Sequence, residues 1–232
     1  MNNFWEGRLP EPATRTIYDM MPVLAVPGTY SDNILYFMYR DLSENGSDKE
    51  WLSAHLLRFD LTRIPPGTIS GEFVKTKGHY HPAAPDGRGY PELYQVISGS
   101  AHYLLQKEDL SDIVSVEAGP GDAVLIPPGY GHVTINPSSE ELLMSNIVSD
   151  AFSSIYGYYE EKQGGAYYEF ETEGWKANPS YGDIGEIRIA KPKKLDELGI
   201  PAGRSIYDLV GDDEKLAFLN NPSLLDGLDI VP

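Results

Sequence analysis

The sequence predicts an all-β domain, a barrel or sandwich of short strands, followed by a helical C-terminal segment. Turn-forming residues are abundant, with 23 glycines and 18 prolines in 232 residues. Aromatic residues, mostly tyrosine, make up 11% of the chain, and aromatic side chains favour strands. Between residues 34 and 148, short strand-like runs recur at intervals of roughly ten residues, as they do in barrels and sandwiches.

The individual strands are read from these runs and from the turns between them. Asn45-Gly46 lies between the first two runs and is typical of a two-residue hairpin, and Pro65-Pro66-Gly67 marks the next turn. A long turn-rich loop joins residues 81 and 92. Strands are predicted at 34–42, 51–62, 71–81, 92–97, 101–106, 111–117, 123–126, 132–136, 141–148, 166–171 and 184–189.

The character of the chain changes after residue 190. Residues 194–198 and 205–219 have helical patterns, with Gly199 and Asn220-Asn221 as stop signals. We therefore predict a barrel with an N-terminal arm over residues 1–190 and an acidic helical extension over residues 191–232.

Charge and composition limit the classes of function. With 35 acidic and 18 basic residues the formal charge is −17, which repels nucleic acid phosphates and anionic membranes. We therefore expect neither nucleic acid nor a membrane as partner. The chain has no apolar run of about 18 residues, and its first twelve residues show no secretory signal. We therefore expect a cytoplasmic protein.

Four residues have the types and spacing of a metal site. The chain has no cysteine, so disulfides and thiolate zinc sites are excluded and any metal must use histidine and carboxylate ligands. His79 and His81 are two apart on a predicted strand and therefore face the same side. Glu92 begins the next strand, and His132 follows a Pro-Pro-Gly turn. We predict that these four residues bind one divalent ion.

Two segments resemble the conserved motifs of cupins. Residues 121–136, GDAVLIPPGYGHVTIN, resemble the second motif, while His79, His81, Glu92 and Gly99 resemble the first. One departure is the loop between His81 and Glu92, which has ten intervening residues and is longer than in most cupins. The resemblance implies a double-stranded β-helix, or jelly-roll-like barrel, with the four metal ligands inside it.

A narrower resemblance is to the cupin-type glucose-6-phosphate isomerases of archaea and some bacteria. It is carried by TKGHYH at 76–81, ELY at 92–94, LLQ at 104–106 and RTIYDM at 15–20, and covers residues 15–176. It implies interconversion of glucose 6-phosphate and fructose 6-phosphate, as in glycolysis and gluconeogenesis. It also implies one divalent metal ion per chain, iron(II) first, with manganese, nickel, cobalt or zinc as alternatives. By analogy at the level of the fold we expect a homodimer.

The same resemblance assigns roles to residues of the catalytic centre. Glu92 is the candidate base as well as a ligand, and Tyr94, which shares its parity on the strand, is a second catalytic candidate. A metal-assisted hydride shift would need no base, and the sequence does not choose between the two mechanisms. Better-known members have a histidine beyond the metal histidine, whereas this chain has none after His132. Tyr156, Tyr158 or water would have to replace it.

The resemblance also indicates how the substrate would be bound. Thr62 and Thr76 match the family's phosphate-contacting threonines, Gly78 matches a backbone donor, and Tyr36 matches a substrate-binding tyrosine. Hydroxyl and amide donors bind phosphate without a net positive charge. Lys77 alternates with these residues and is interpreted as a solvated strand residue.

Two other functions are compatible with the same ligands. Three histidines and one carboxylate also suit the iron of a cupin dioxygenase, which oxygen consumption would reveal. A non-catalytic sugar-binding cupin is the other alternative, and an absence of turnover would distinguish it.

Overall fold

The computed structural model describes residue 5 and residues 9–27, 31–200 and 202–232. Much of the N-terminal stretch in which we expect no secretory signal lies outside these residues. No helix in the described ranges is long and apolar enough to cross a membrane.

Strands dominate the described part of the chain, with a few short helices. The α-helices are α1 (Ile17–Met20), α2 (Gly46–Ala54) and α3 (Gly157–Glu161). The strands are β1 (Ala13–Thr16), β2 (Ile34–Tyr39), β3 (Leu57–Ile64), β4 (Thr68–Ile69), β5 (Glu72–Phe73), β6 (Glu92–Ser98), β7 (Ala101–Lys107), β8 (Ile113–Ala118), β9 (Ala123–Ile126), β10 (Tyr130–Ile135), β11 (Leu142–Ser149), β12 (Tyr167–Phe170), β13 (Gly174–Ala177) and β14 (Arg188–Ala190). Single turns of 3-10 helix occur at Met21–Val23, Pro179–Tyr181, Asp196–Leu198, Ile206–Leu209, Ala217–Leu219 and Pro222–Leu225.

Two of the sheets form the walls of the barrel. One has the order β1-β2-β3-β11-β6-β9 and the other the order β10-β7-β8-β14, with a small third sheet of β13-β12-β5-β4. A continuous core, which includes Val96, Met144, Tyr103, Val116 and Val133, lies between the two larger sheets. The all-β cupin barrel that the sequence predicts is thus confirmed.

The outer face of the six-stranded sheet is also covered. Alternate residues of β3, such as Phe59 and Leu61, point away from the barrel interior and pack with residues of α2 and of the C-terminal segment. That segment contributes Ile206, Phe218, Leu225 and other apolar side chains to this second core. The sheet is therefore buried on both faces.

The predicted hairpin at Asn45-Gly46 is wrong, because Asn45 is the N-cap of helix α2 instead. Its side chain accepts a hydrogen bond from Asp48 N at 2.9 Å, which is an N-cap interaction. The predicted strand at 51–62 is consequently divided: its first residues belong to α2, and β3 begins at Leu57.

The predicted helix at 205–219 is also wrong. Residues 202–232 are all described, and there the chain makes single 3-10 turns joined by irregular backbone. Ser205 caps the first turn, and Gly211, at φ +93°, interrupts the helical path. The apolar residues of this segment follow the outer face of the sheet rather than one side of a helix. The division of the chain at residue 190 stays a prediction.

Two further predicted strands are shorter than expected. Of residues 71–81, β5 takes two, and the remainder pairs with β10 through the bridges Lys75–Ile135 and His79–His132. Of residues 184–189, only the end is in β14, which runs parallel to β8.

Candidate active site and metal centre

The four predicted metal ligands meet inside the barrel. His79 and His132 are backbone partners, with His132 N donating to His79 O at 3.0 Å. His81 lies two residues after His79 along the chain, and Glu92 is the first residue of β6. One potential ligand atom from each residue lies within 4.8 Å of all the others. The structure therefore brings together all four residues that the sequence selected.

Their ligand atoms face one another at short distances. His81 Nε2 lies 3.2 Å from His79 Nε2 and 3.3 Å from Glu92 Oε2. His132 Nε2 is also 3.3 Å from Glu92 Oε2. Among the described residues this buried oxygen accepts no hydrogen bond. A cation at this point would satisfy the oxygen and the imidazole lone pairs together, so the donor set fits a divalent metal.

The protonation of these groups suits metal binding. Burial lowers the pKa of His132, and burial and the nearby His132 and His81 hold the pKa of His79 well below its ordinary value. Burial alone would raise the pKa of Glu92, but the two adjacent imidazoles outweigh it and hold that pKa well below its usual range. The site consequently presents neutral imidazoles at His79 and His132 and an ionised carboxylate at Glu92.

Backbone and side-chain contacts orient two of these ligands. His81 Nδ1 lies 2.9 Å from Tyr90 O. Because a carbonyl only accepts, Nδ1 carries the proton and Nε2 keeps its lone pair. Asn146 Nδ2 donates to Glu92 Oε1 at 2.8 Å, so Oε2 is the carboxylate oxygen left to face the imidazoles. Sequence reasoning missed Asn146.

His79, His81 and Glu92 line one side of a cleft of about 650 Å³, a volume that includes its open mouth. The inward-facing residues of β3, β11 and β6 form cross-strand rows on its wall. One row is Asp60, Asn146 and Tyr94, and on either side lie the rows Arg58–Val148–Glu92 and Thr62–Met144–Val96. The strand register thus places Glu92 and Thr62 on the same face of the sheet, separated by the row of Asp60, Asn146 and Tyr94.

The predicted substrate-binding residues occupy two kinds of position. Tyr36, Thr62 and Thr76 line the cleft. The Tyr36 hydroxyl accepts from Lys77 N at 3.1 Å, and burial raises the pKa of Tyr36 to about 12. Gly78 is packed instead, because a Cβ there would lie 2.4 Å from Tyr159 Cδ1. Close packing is thus one reason for glycine at position 78.

Three cationic residues of the cleft were not expected. Arg40, Arg58 and Lys77 line it, so the interpretation of Lys77 as a solvated strand residue is wrong. Each is paired with a carboxylate: Lys77 with Glu160 at 2.5 Å, and both arginines with the buried Asp60. The cleft therefore contains cations whose charges are largely balanced.

Tyrosines complete the cleft. Tyr94 is buried, its hydroxyl lies 3.2 Å from His132 Nε2, and burial and Glu92 hold its pKa well above its ordinary value. The ring of Tyr156 lines the cleft, 5.3 Å from the ring of His79. Tyr158 turns away and donates to Glu108 O. Of the two tyrosines considered as replacements for the missing histidine, Tyr156 is the one in the cleft.

Several relatives share part of this sequence. A protein from Thermococcus kodakarensis named glucose-6-phosphate isomerase is 35% identical over 106 residues, which are 46% of this chain and 53% of that protein. A protein of the same name from Thermococcus onnurineus is 32% identical over 129 residues, 52% of this chain and 66% of that protein. The chain thus spans between half and two thirds of the length of these relatives.

The solved structures that match this chain resemble it less closely than these relatives do. Oxalate decarboxylase from Bacillus subtilis has a TM-score of 0.39 and 20% identity, over 52% of this chain and 27% of that chain. Similarity at this level carries no argument about function. In contrast, the family model for glucose-6-phosphate isomerase (GPI) matches residues 14–201, a range that contains all four predicted ligands. The chain therefore belongs to the glucose-6-phosphate isomerase (GPI) family.

Proposed function

We propose that this chain is a metal-dependent aldose–ketose isomerase that interconverts glucose 6-phosphate and fructose 6-phosphate. The observation that carries the proposal is the convergence of three imidazoles and one carboxylate beside a cleft with hydroxyl and cationic side chains. Membership of the family and the names of the relatives support the choice of substrate.

The phosphate group would bind away from the ligands, near Thr62 and Thr76. Thr76 Oγ1 already accepts a hydrogen bond from Thr134 N at 2.9 Å, so its hydroxyl hydrogen remains available for a phosphate oxygen. Lys77 lies in the same wall, and Gly78 N is the proposed backbone donor. Such local donors reconcile an anionic substrate with the net charge of −17.

His79, His81, Glu92 and His132 would hold the divalent metal, for which iron(II) is our first expectation. When bound, the metal supplies Lewis-acid stabilisation of negative charge on the sugar oxygens at C1 and C2. Tyr94, which stays protonated, can donate a hydrogen bond to an oxygen beside His132. The role of Tyr36 would be to shape the sugar site, since its hydroxyl already accepts from Lys77 N.

Glu92 is the proposed base for transfer of the proton between C1 and C2. Asn146 uses one lone pair of Oε1, and the second lone pair of that oxygen is available to take a proton while Oε2 faces the imidazoles. The alternative is a hydride shift, in which Glu92 acts as a ligand alone. Deuterium at C2 of glucose 6-phosphate distinguishes them: proton transfer exchanges it with solvent, whereas a hydride shift retains it.

The direct test is reconstitution. The chain is stripped with a chelator, reloaded separately with iron(II), manganese(II), nickel(II) and zinc(II), and assayed for conversion of fructose 6-phosphate to glucose 6-phosphate, with His132→Ala as control. Turnover that depends on metal and is absent in the control supports the proposal. Tight metal binding without turnover of either sugar phosphate refutes it.

Three further expectations belong to the same proposal. A role in glycolysis and gluconeogenesis follows from the substrate, and a cytoplasmic location follows from that role. The homodimer stays a prediction from the fold, which sedimentation of the purified chain would test.

A further inference from the structure

Two loops pack against metal-ligand candidate His81. The first, residues 82–91, is the loop that is longer than in most cupins; its Tyr90 accepts the His81 Nδ1 hydrogen bond. The second, residues 150–156, contributes Phe152, whose ring centroid lies 4.5 Å from that of His81. Tyr90 and Phe152 stack on each other at 4.7 Å and 23°. The orientation of the His81 ring thus depends on both loops.

The first loop is tied to a short C-terminal segment, residues 220–226, which we call the C-terminal turn. Arg88 Nε donates to Asp226 Oδ1 at 2.9 Å, and a second Arg88 nitrogen donates to the other carboxylate oxygen. Ser223 N donates to Asp86 Oδ2 at 3.1 Å. Three hydrogen bonds therefore join the loop that supplies Tyr90 to the C-terminal turn.

The second loop is tied to the same turn at its first residues. Ser149 Oγ donates to Asn220 Oδ1 and accepts from Ala151 N at 3.2 Å. Asn220 Nδ2 in addition donates to His55 O at 2.6 Å. Asn220 thus holds the start of the loop that carries Phe152.

The turn is itself firmly seated. It contains the 3-10 turn Pro222–Leu225, in which Pro222 and Leu225 are buried, and Leu225 belongs to the core on the outer face of the six-stranded sheet. Because its apolar side is packed against the sheet, the turn can act as a fixed anchor for the two loops.

We propose that the C-terminal turn positions His81 for metal binding, with Asp226 and Asn220 as positioning residues. The inference rests on the metal site of the proposed function. It assigns a role to a part of the chain beyond residue 201, where the family match ends. Without the turn, the stack of Tyr90 and Phe152 loosens, and the His81 ring samples orientations in which Nε2 does not face the other ligands.

The expected effect is a loss of metal affinity. Groups that directly hold a ligand typically change metal affinity by about 10- to 100-fold when mutated. Asp226 and Asn220 do not contact His81 themselves and act through the two loops that do. We therefore expect a smaller effect, in which the manganese(II) dissociation constant rises about 3- to 10-fold in Asp226→Ala and in Asn220→Ala. In contrast, an anchor with only a structural role would change thermal stability and leave this constant unchanged.

The experiment titrates the metal-free chain of 232 residues with manganese(II), and the free ion is detected by electron paramagnetic resonance. Asp229→Ala is the matched control, because Asp229 lies just beyond the C-terminal turn and forms a comparable exposed pair with Lys193 at 2.7 Å. Arg88→Ala and the double variant Arg88→Ala/Asp226→Ala test whether both residues act through one contact, in which case the double variant equals the single ones. If thermal melting shows that Asp226→Ala does not fold, Asp226→Asn takes its place.

The outcomes separate this inference from the proposed function. Weaker manganese binding in the Asp226 and Asn220 variants, with native affinity in Asp229→Ala, supports the role of the turn. Equal affinity in all of these variants overturns it, even if the native chain is an active isomerase. Native manganese binding, with no isomerase activity after loading with any of the four metals, refutes the proposed function alone. A native chain that binds none of the four metals overturns both.

Discussion

Asn146 offers the sharpest test of how the site works, because one side chain controls one oxygen of Glu92. Asn146→Ala removes the hydrogen bond of 2.8 Å from Nδ2 to Glu92 Oε1. Both residues are buried, at 5% and 4% exposure, so little solvent can replace the lost donor. The carboxylate is then free to rotate away from the geometry in which Oε2 faces the imidazoles.

The size of the effect follows from the charge of the acceptor. A hydrogen bond to an ionised group is worth about 1.5–3 kcal/mol, which corresponds to a factor of roughly 10 to 150 in a rate or equilibrium constant. If that energy holds Glu92 in its productive position, kcat/KM of the metal-loaded Asn146→Ala enzyme falls by about this factor. The assay is the conversion of fructose 6-phosphate under saturating metal.

The neighbouring residue gives a matched control. Ser145 lies on the same strand and is fully buried, yet its hydroxyl has no hydrogen-bond partner within the described part of the chain. Ser145→Ala therefore removes a buried polar group of the same strand without touching Glu92. The reasoning is refuted if Asn146→Ala retains kcat/KM within twofold of Ser145→Ala.

Three other predictions concern stability. Burial raises the pKa of Tyr36 to about 12, above its value of about 10 in an unfolded chain. The stabilisation that the protonated Tyr36 hydroxyl gives the folded state is therefore complete below about pH 10. As the pH rises through 12, the free energy of unfolding falls by up to about 3 kcal/mol. Tyr36→Phe should show a shallower alkaline loss in urea unfolding, and equal slopes would contradict this. Thr16→Ala removes the cap of α1, in which Asp19 N donates to Thr16 Oγ1, and should cost about 1 kcal/mol; an unchanged urea midpoint would argue against it. Gly78→Ala places a Cβ 2.4 Å from Tyr159 Cδ1 and should cost about 1–3 kcal/mol in thermal melts, whereas the control Gly157→Ala, with open space at its Cβ, should not; similar losses in both would be inconsistent with a packing effect.

The cluster of candidate metal ligands could be predicted from the sequence because its signal is local. Alternation along one strand places His79 and His81 on the same side, and a tight turn fixes His132. Asn146 has no such signal, since its partner Glu92 is 54 residues away and only the register between β11 and β6 brings them together. Because β11 is buried on both faces, alternation of polar and apolar residues cannot reveal which side chains face the cleft.

The same burial explains the errors in the C-terminal segment. Ile206, Leu209, Leu216 and Leu219 are buried, and their spacing resembles one side of a helix. The spacing arises instead because irregular backbone follows the apolar outer face of the sheet, which the sequence of the segment alone does not disclose. Alternation along the strand likewise predicts a solvated Lys77. Its pairing with Glu160 depends on α3, which is far along the chain and has no signal in the sequence around Lys77.

The balanced charges of the cleft bear on how an acidic protein admits an anionic substrate. Arg58 is held by the buried Asp60 on one side and by Asp150 on the other, so its charge is fixed in the wall. Lys77 differs, because its carboxylate partner Glu160 is 40% exposed while its own side chain is 16% exposed. Breaking an ion pair costs little when the partner is already exposed to water. In the proposed substrate complex, a phosphate near Thr76 would therefore displace Glu160 from Lys77 at small cost. Under the proposed function, the Lys77–Glu160 ion pair would open to supply a positive charge for the phosphate group. The net charge of −17 would then be compatible with a sugar phosphate as substrate.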